Sequence, residues 1–245
     1  MLQRKLRRLF SRVSAIYVFC ELVKLVWLRI VYPKGKALSA IQLCPSIGGL
    51  AVDIGANRGQ SALAIGKLKP GFEILSFEPS RSCLLGLRFT RLLLGRRFSF
   101  EMVGVSDATT ELTYYEPIFR HLRVPTEGTF QKEHLDKEVE RRIGGRFTVK
   151  ERTVQVRSLD EMMLSPDFIK IDVQGLELAV LRGARKTLEK HHPVLVVERS
   201  PSNEAATIEF LRSLGYRRLT EDDLFAEGIV PISLAGDNVF AFPVA

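Results

Sequence analysis

The chain has 245 residues, 46% of them hydrophobic, which is enough for one substantial α/β domain with a short appendage and too apolar for wholesale disorder. Its formal net charge is +8, but the location of that charge argues against a nucleic-acid-binding catalytic surface. Of 36 basic and 28 acidic residues, nine basic residues and the single acid Glu21 fall in residues 1–36, so the 27 basic and 27 acidic groups of residues 37–245 cancel. Cys20, Cys44 and Cys83 are widely spaced and form no C-x-x-C pair. They supply neither a disulfide framework nor a zinc site, and they fit a reduced, cytoplasmic protein. The adjacent His191 and His192 lack acidic or thiol partners at i+3 or i+4, so they read as the basic end of a helix and not as a metal pair.

Residues 13–31 are apolar apart from Ser14, Tyr17, Glu21, Lys24 and Arg29, and the first four line up as a narrow polar stripe at helical spacing. Glu21 and Lys24 fall mid-segment, where a bilayer core would penalise both charges. No small-x-small cleavage site follows the charge-free stretch. Arg4, Lys5, Arg7, Arg8, Arg12, Lys34 and Lys36 flank the segment, with Trp27 and Tyr32 near one end. Such a helix suits docking on the domain or lying in a membrane interface. Its charge favours peripheral contact of residues 1–36 with an anionic, cytoplasmic-face membrane. Pro33 and Gly35 end the helix, residues 34–49 read as a linker, and residues 37–245 form the catalytic domain.

From residue 50 onward, strand and helix patterns alternate. Strands are expected at 50–54, 73–77, 98–105, 168–173 and 194–197, and helices at 60–69, 81–94, 176–190 and 204–214. Residues 216–219 and 238–242 suit a terminal antiparallel pair. This order implies βαβ units in a doubly wound, mostly parallel seven-stranded sheet with helices on both faces. Residues 117–145 break the rhythm: they are charged, carry Gly128, Gly144 and Gly145, and show no clean apolar strand. An insertion of that kind reads as a lid, a binding loop or a mobile segment.

Three segments carry chemistry. In VDIGANRGQS (residues 52–61) a buried strand enters a turn containing Gly55 and Gly59 and then opens a helix, so a ligand can approach the backbone and meet free N–H groups. A dinucleotide fingerprint needs G-x-G-x-x-G, yet Asn57 and Gln60 occupy the second and third glycine positions. That weakens an NAD-dependent oxidoreductase and favours a ligand built of an amino acid and a nucleoside. Glu78 of FEPS ends the second strand, 23 residues after Gly55, where a carboxylate can accept hydrogen bonds from ribose hydroxyls. Asp172 and Glu198 end two further strands, so with Asp53 and Glu78 four acids gather at one sheet edge and suit a cationic ligand.

The motifs VDIGANRGQS, FEPS, GVSD, SLDE, KIDVQGLELAVLRGA and LVVER, in this order over residues 50–200, closely resemble the FkbM family of S-adenosylmethionine-dependent methyltransferases. The resemblance implies a class I, Rossmann-like methyltransferase fold and S-adenosyl-L-methionine as methyl donor. It places the methionine portion on the turn of Asp53, Gly55, Asn57 and Gly59, the ribose on Glu78, and the adenine at Ser106 and Asp107. Asp172, Glu177 and Glu198 would face the donor and acceptor, with Asp172 first choice as general base. The implied acceptor is a hydroxyl on a sugar, glycan, lipid-linked saccharide or secondary metabolite. One departure stands out: the family usually carries Glu where this chain has Gln174, which removes one candidate base and keeps a catalytically inactive binding protein in view. Neither the acceptor's identity nor the oligomeric state is written in these motifs.

Overall fold

The computed structural model describes Cys20, Val23, Leu25, Val26 and residues 37–44, 47–120, 122–135, 137–229, 234 and 236–243. The basic and aromatic residues of the N-terminal arm on which the membrane expectation rests lie outside that set. Leu25 is 1% exposed and belongs to the same buried cluster as Ala37, Ile41 and Phe72, so this one side chain packs into the core of the domain. Among the described residues no helix is long and apolar enough to cross a membrane.

The main sheet contains β1 (Leu50–Ile54), β2 (Glu73–Phe77), β3 (Phe98–Glu101), β8 (Phe168–Ile171), β9 (Val194–Glu198), β10 (Arg217–Leu219) and β11 (Asp237–Ala241). Their order is β10-β11-β9-β8-β1-β2-β3, and β11 alone runs antiparallel to its neighbours. This is the expected Rossmann-like sheet, with the C-terminal strands paired as the sequence suggested.

Side chains alternate across the sheet, as the strand period requires. Ala51, Phe168 and Val196 enter the core on the face that also buries residues of α1 (Gln60–Leu68) and α2 (Leu84–Leu94). Val52, Ile169 and Leu195 enter the other, with residues of α4 (Glu177–Arg182), α5 (Arg185–His191) and α6 (Glu204–Ser213). A short helix, α7 (Glu221–Ala226), opens on a capping box between Thr220 and Asp223.

Three local expectations are corrected. Residues 37–43 are not linker but a 3-10 turn, Ala37–Leu43, that buries Ala37, Ala40 and Ile41. The helix expected at 176–190 is two helices. A Cβ on Gly183 would lie 2.2 Å from the Ser106 carbonyl oxygen, so the chain there runs against another backbone segment. The strand expected at 98–105 divides between two sheets: β3 stays in the main one, and β4 (Gly104–Ser106) joins a second.

That second sheet is the largest departure. It comprises β4, β5 (Thr110–Phe119), β6 (Leu122–Arg123) and β7 (Thr148–Ser158), in the order β4-β7-β5-β6. Residues 117–145 therefore extend from a regular β5–β7 ladder and contain β6 and α3 (Lys137–Ile143). Polar residues alternate along most of β7, and β5 carries Pro117 and the buried Glu116, which hides the strand signature.

Glu116 ties the two sheets together. Its Oε1 accepts from Ser80 Oγ at 2.5 Å and Ser82 Oγ at 2.7 Å, both in the turn after β2, while Oε2 pairs with Arg123 at 3.4 Å and Arg152 at 3.8 Å. Glu116→Ala strands two arginines and two hydroxyls. It should lower stability by about 3–5 kcal/mol in equilibrium urea unfolding, whereas an unchanged midpoint would show that the network is incidental.

Candidate active site

The strand order reverses at β1, with β2 on one side and β8 on the other, and a cleft opens where the carboxyl ends of these strands separate. Its volume is about 290 Å³. The floor comes from the loops after β1, β2, β8 and β9 through Gly55, Asn57, Glu78, Asp172 and Glu198. The second sheet and the 117–145 segment supply the facing wall, including Tyr114, Glu127, Phe130 and Arg142. Arg142 pairs with Glu127 at 3.3 Å, and Phe130 meets Tyr114 edge-on at 5.1 Å between ring centres. The segment also reaches the β8 loop, where Thr129 Oγ1 donates to the Gln174 carbonyl at 2.8 Å.

Glu78 is buried at the base of the cleft. One oxygen accepts from Asn57 N–H at 2.8 Å and the other from Ser80 N–H at 2.7 Å, so the two flanking turns hold the carboxylate in a fixed orientation. Burial pushes its pKa up to about 7 despite these hydrogen bonds. Gly55 has φ of +79°, and a Cβ there would fall 1.7 Å from the Asp172 carbonyl oxygen. Only glycine lets the β1 and β8 loops pass this closely.

A lysine absent from the sequence-based site lies beneath the floor. Asp53 aligns in register with Ser76 on β2 and Lys170 on β8. Ser76 and Ser61 donate to Asp53 Oδ2 at 3.1 and 2.7 Å. Lys170 Nζ lies 3.4 Å from Asp53 Oδ1 and 3.3 Å from Asp172 Oδ2, and it donates to the Gly55 carbonyl at 2.9 Å. Burial works against its charge, but Asp172, Asp53 and Glu198 outweigh that effect and hold Lys170 above its ordinary range. The four-acid edge is thus partly neutralised from within. The strand spacing of Lys170 and Asp172, two residues apart and hence on one face, was the signal available in the sequence.

Asp172 and Glu198 form an acid pair. Gln174 Nε2 donates to Asp172 Oδ1 at 3.1 Å and to Glu198 Oε2 at 2.7 Å. Gln174 itself has φ of +53°, an uncommon conformation for a side-chain-bearing residue. Burial and the neighbouring Asp172 charge push Glu198 up to about 9. Burial alone would raise Asp172, but the Lys170 ammonium and hydrogen bonds from Glu198 and Gln174 hold it below its ordinary range. The two acids are thus pushed apart in proton affinity, with Asp172 favouring the charged form and Glu198 the protonated one.

The remaining expected site residues do not line this cleft. Asp53 is buried in the Lys170 network, and Gly59 makes room for Thr90, which a Cβ would approach to 2.4 Å. Glu177 is buried and accepts from Gly175 N–H at 2.9 Å and Asn203 Nδ2 at 3.0 Å, which shapes the loop after β8. Ser106 is buried with its hydroxyl on Asp107, and Asp107 is exposed.

The sequence profile of the methyltransferase FkbM domain matches residues 53–218. No curated protein matches the chain. Among solved structures, a methyltransferase FkbM from Methylobacillus flagellatus KT is 22% identical, covering 85% of this chain and 48% of its own, with a TM-score of 0.49. The chain therefore spans about half that protein's length. A precorrin-6y C5,15-methyltransferase from Geobacter metallireducens GS-15 is 16% identical, covering 75% of this chain and 71% of its own, with a TM-score of 0.44. A putative rRNA-methylase from Clostridium thermocellum is 9% identical over 87% of this chain and 99% of its own, with a TM-score of 0.47. The oxidoreductase and inactive-protein readings find no support in these matches.

Lys170→Met leaves two carboxylates facing each other without a buried cation. Stability at pH 7 should fall by about 3–5 kcal/mol. Lys170 lowers Asp172, so its stabilisation is present above the ordinary carboxylate range and fades below it. The gap between parent and variant should therefore narrow as pH falls through about 4. A gap that stays constant with pH in urea unfolding would mean that the ammonium does not neutralise these acids.

Proposed function

Because the chain belongs to the FkbM family of S-adenosylmethionine-dependent methyltransferases, we propose that it methylates a hydroxyl on a sugar, glycan, lipid-linked saccharide or secondary metabolite, giving an O-methyl ether. The observation that carries this reading is that Glu78 and the Asp172–Glu198 pair face one cleft at the switch point of the sheet.

The residues present fit S-adenosylmethionine on two counts. Each Glu78 oxygen accepts one backbone N–H, which leaves a further lone pair on each for a ribose hydroxyl. Among the described residues the cleft is also lined by the acids Glu78, Glu127, Asp172 and Glu198 and by one base, Arg142, itself paired with Glu127, so carboxyl groups able to ionise beside a sulfonium cation outnumber the bases. When bound, S-adenosylmethionine supplies an electrophilic methyl group on that sulfonium.

The chain's own residues align the reactants and move a proton. Gly55, Asn57 and Glu78 offer a rigid binding edge, because both flanking turns are tied to the Glu78 carboxylate. Much of the rate enhancement in an in-line displacement comes from such alignment. The acceptor hydroxyl must also lose its proton to a group within hydrogen-bond reach. Asp172, pinned by Lys170 and Gln174, orients the pair and shares in this role. Glu198 loses its own proton more readily once a positive charge lies beside it, and its carboxylate can then take the hydroxyl proton. We further propose that residues 1–36 bring the enzyme to the cytoplasmic face of an anionic membrane, which the cluster of basic residues there supports.

Glu78→Ala should weaken S-adenosylmethionine binding by about 1–3 kcal/mol in calorimetry, with NAD giving no heat for either protein. Unchanged affinity would remove Glu78 from the cofactor site. Glu198 must be ionised to accept a proton, and its pKa in the free protein is about 9. With the acceptor known, kcat/KM for S-adenosylmethionine, which reports the enzyme before the cation binds, should rise about tenfold per pH unit towards that value. Glu198→Gln should abolish the slope. A parent profile already flat from pH 6 to 9 would exclude Glu198 as the base.

A further inference from the structure

The charges of residues 37–245 cancel in sum but are unevenly placed. Between Glu78 and Glu101 the chain carries Arg81, Arg88, Arg91, Arg96 and Arg97 and no acid. Arg97 is engaged with the carbonyls of Pro70 and Phe72. The other four are exposed, and among the described residues no carboxylate pairs with them.

Helix α2 buries Gly86, Leu87, Thr90 and Leu94. Its opposite side carries Leu85 and Leu92, which are 54% and 77% exposed. At seven residues apart these leucines fall on nearly one line of the helix, with Arg88 beside both and Arg91 one row further round, next to Arg88. Single exposed leucines are ordinary. Two on one line, bordered by arginines without a carboxylate partner, form an amphipathic face that nothing among the described residues covers.

We propose that the outer face of α2 docks on an anionic lipid membrane, with the arginines on headgroup phosphates and Leu85 and Leu92 at the acyl boundary. Charge complementarity selects an anionic partner. The leucines select lipid over nucleic acid, because a phosphate backbone answers arginines but buries no leucine. The face also has a useful position. A short 3-10 turn, Arg81–Cys83, joins it to Pro79 in the cleft wall, so docking through α2 brings the cleft close to the membrane. The docking does not rest on the methyl-transfer reading; only its use to reach a lipid-linked acceptor does.

The test is co-sedimentation of the full chain with phosphatidylcholine vesicles, with and without phosphatidylglycerol. The variants are Arg88→Glu/Arg91→Glu/Arg96→Glu and Leu85→Ser/Leu92→Ser. Because the arm can also bind lipid, each is measured in the parent and in an Arg4→Glu/Arg7→Glu/Arg8→Glu background. Thermal midpoints and S-adenosylmethionine affinity, read separately, should match the respective background, so failure of the docking cannot be mistaken for failure of the cofactor reading. The parent should bind only the phosphatidylglycerol vesicles and be released by salt. Each α2 variant should lower the partition coefficient by about tenfold or more. Binding equal to the background in both series overturns the proposal. So does loss confined to the arginine variant together with equal competition by duplex DNA, which would mark a surface for soluble polyanions.

Discussion

An ammonium group buried between two carboxylates, at the switch point between β1 and β8, governs how the rest of the site can be built. Lys170 sits in register beside Asp53 and two residues before Asp172. A β1 carboxylate so deeply buried would be expensive without a partner. With Lys170 present, the acid can remain in the interior and anchor Ser61 at the start of α1 and Ser76 on β2. The same ammonium holds the Gly55 carbonyl, so the loop that opens the cleft is fixed from below. Charge balance and backbone placement are one interaction here.

The second sheet completes what the first begins. An open α/β sheet offers only a crevice beyond its strand ends. In this chain β5 and the segment that follows it turn that crevice into a cleft with a far wall of Tyr114, Phe130 and the Glu127–Arg142 pair. Glu116 makes the connection rigid by gripping the turn that follows Glu78. The position of Glu78 therefore depends on residues from both sheets.

The acid pair shows why a single substitution relative to the family pattern need not silence a site. A glutamate at position 174 would place a third carboxyl group beside Asp172 and Glu198. Gln174 instead donates to both through one nitrogen, which keeps them together while only one is charged. Like charges held this close separate in proton affinity, and that separation equips Glu198 to change charge state when a cation arrives.

The seven strands of the main sheet and the acids at its edge can be read from local patterns alone, namely period-2 burial, turn glycines and strand-end carboxylates. Glu78, Asp172 and Glu198 were legible for that reason: each ends a strand whose pattern is plain. Glu177 entered only through the family resemblance, and in the structure the backbone folds over it and satisfies its carboxylate from Gly175 and Asn203. Gly59 resembled a ligand-facing glycine and serves the packing of Thr90. The second sheet, the far wall of the cleft and the internal neutralisation by Lys170 were decided only in three dimensions. Each depends on partners such as Glu116 with Ser80, or Lys170 with Asp53, that lie 36 and 117 residues apart in the chain. Burial makes such polar pairs necessary, and local sequence carries no record of which distant group will satisfy them.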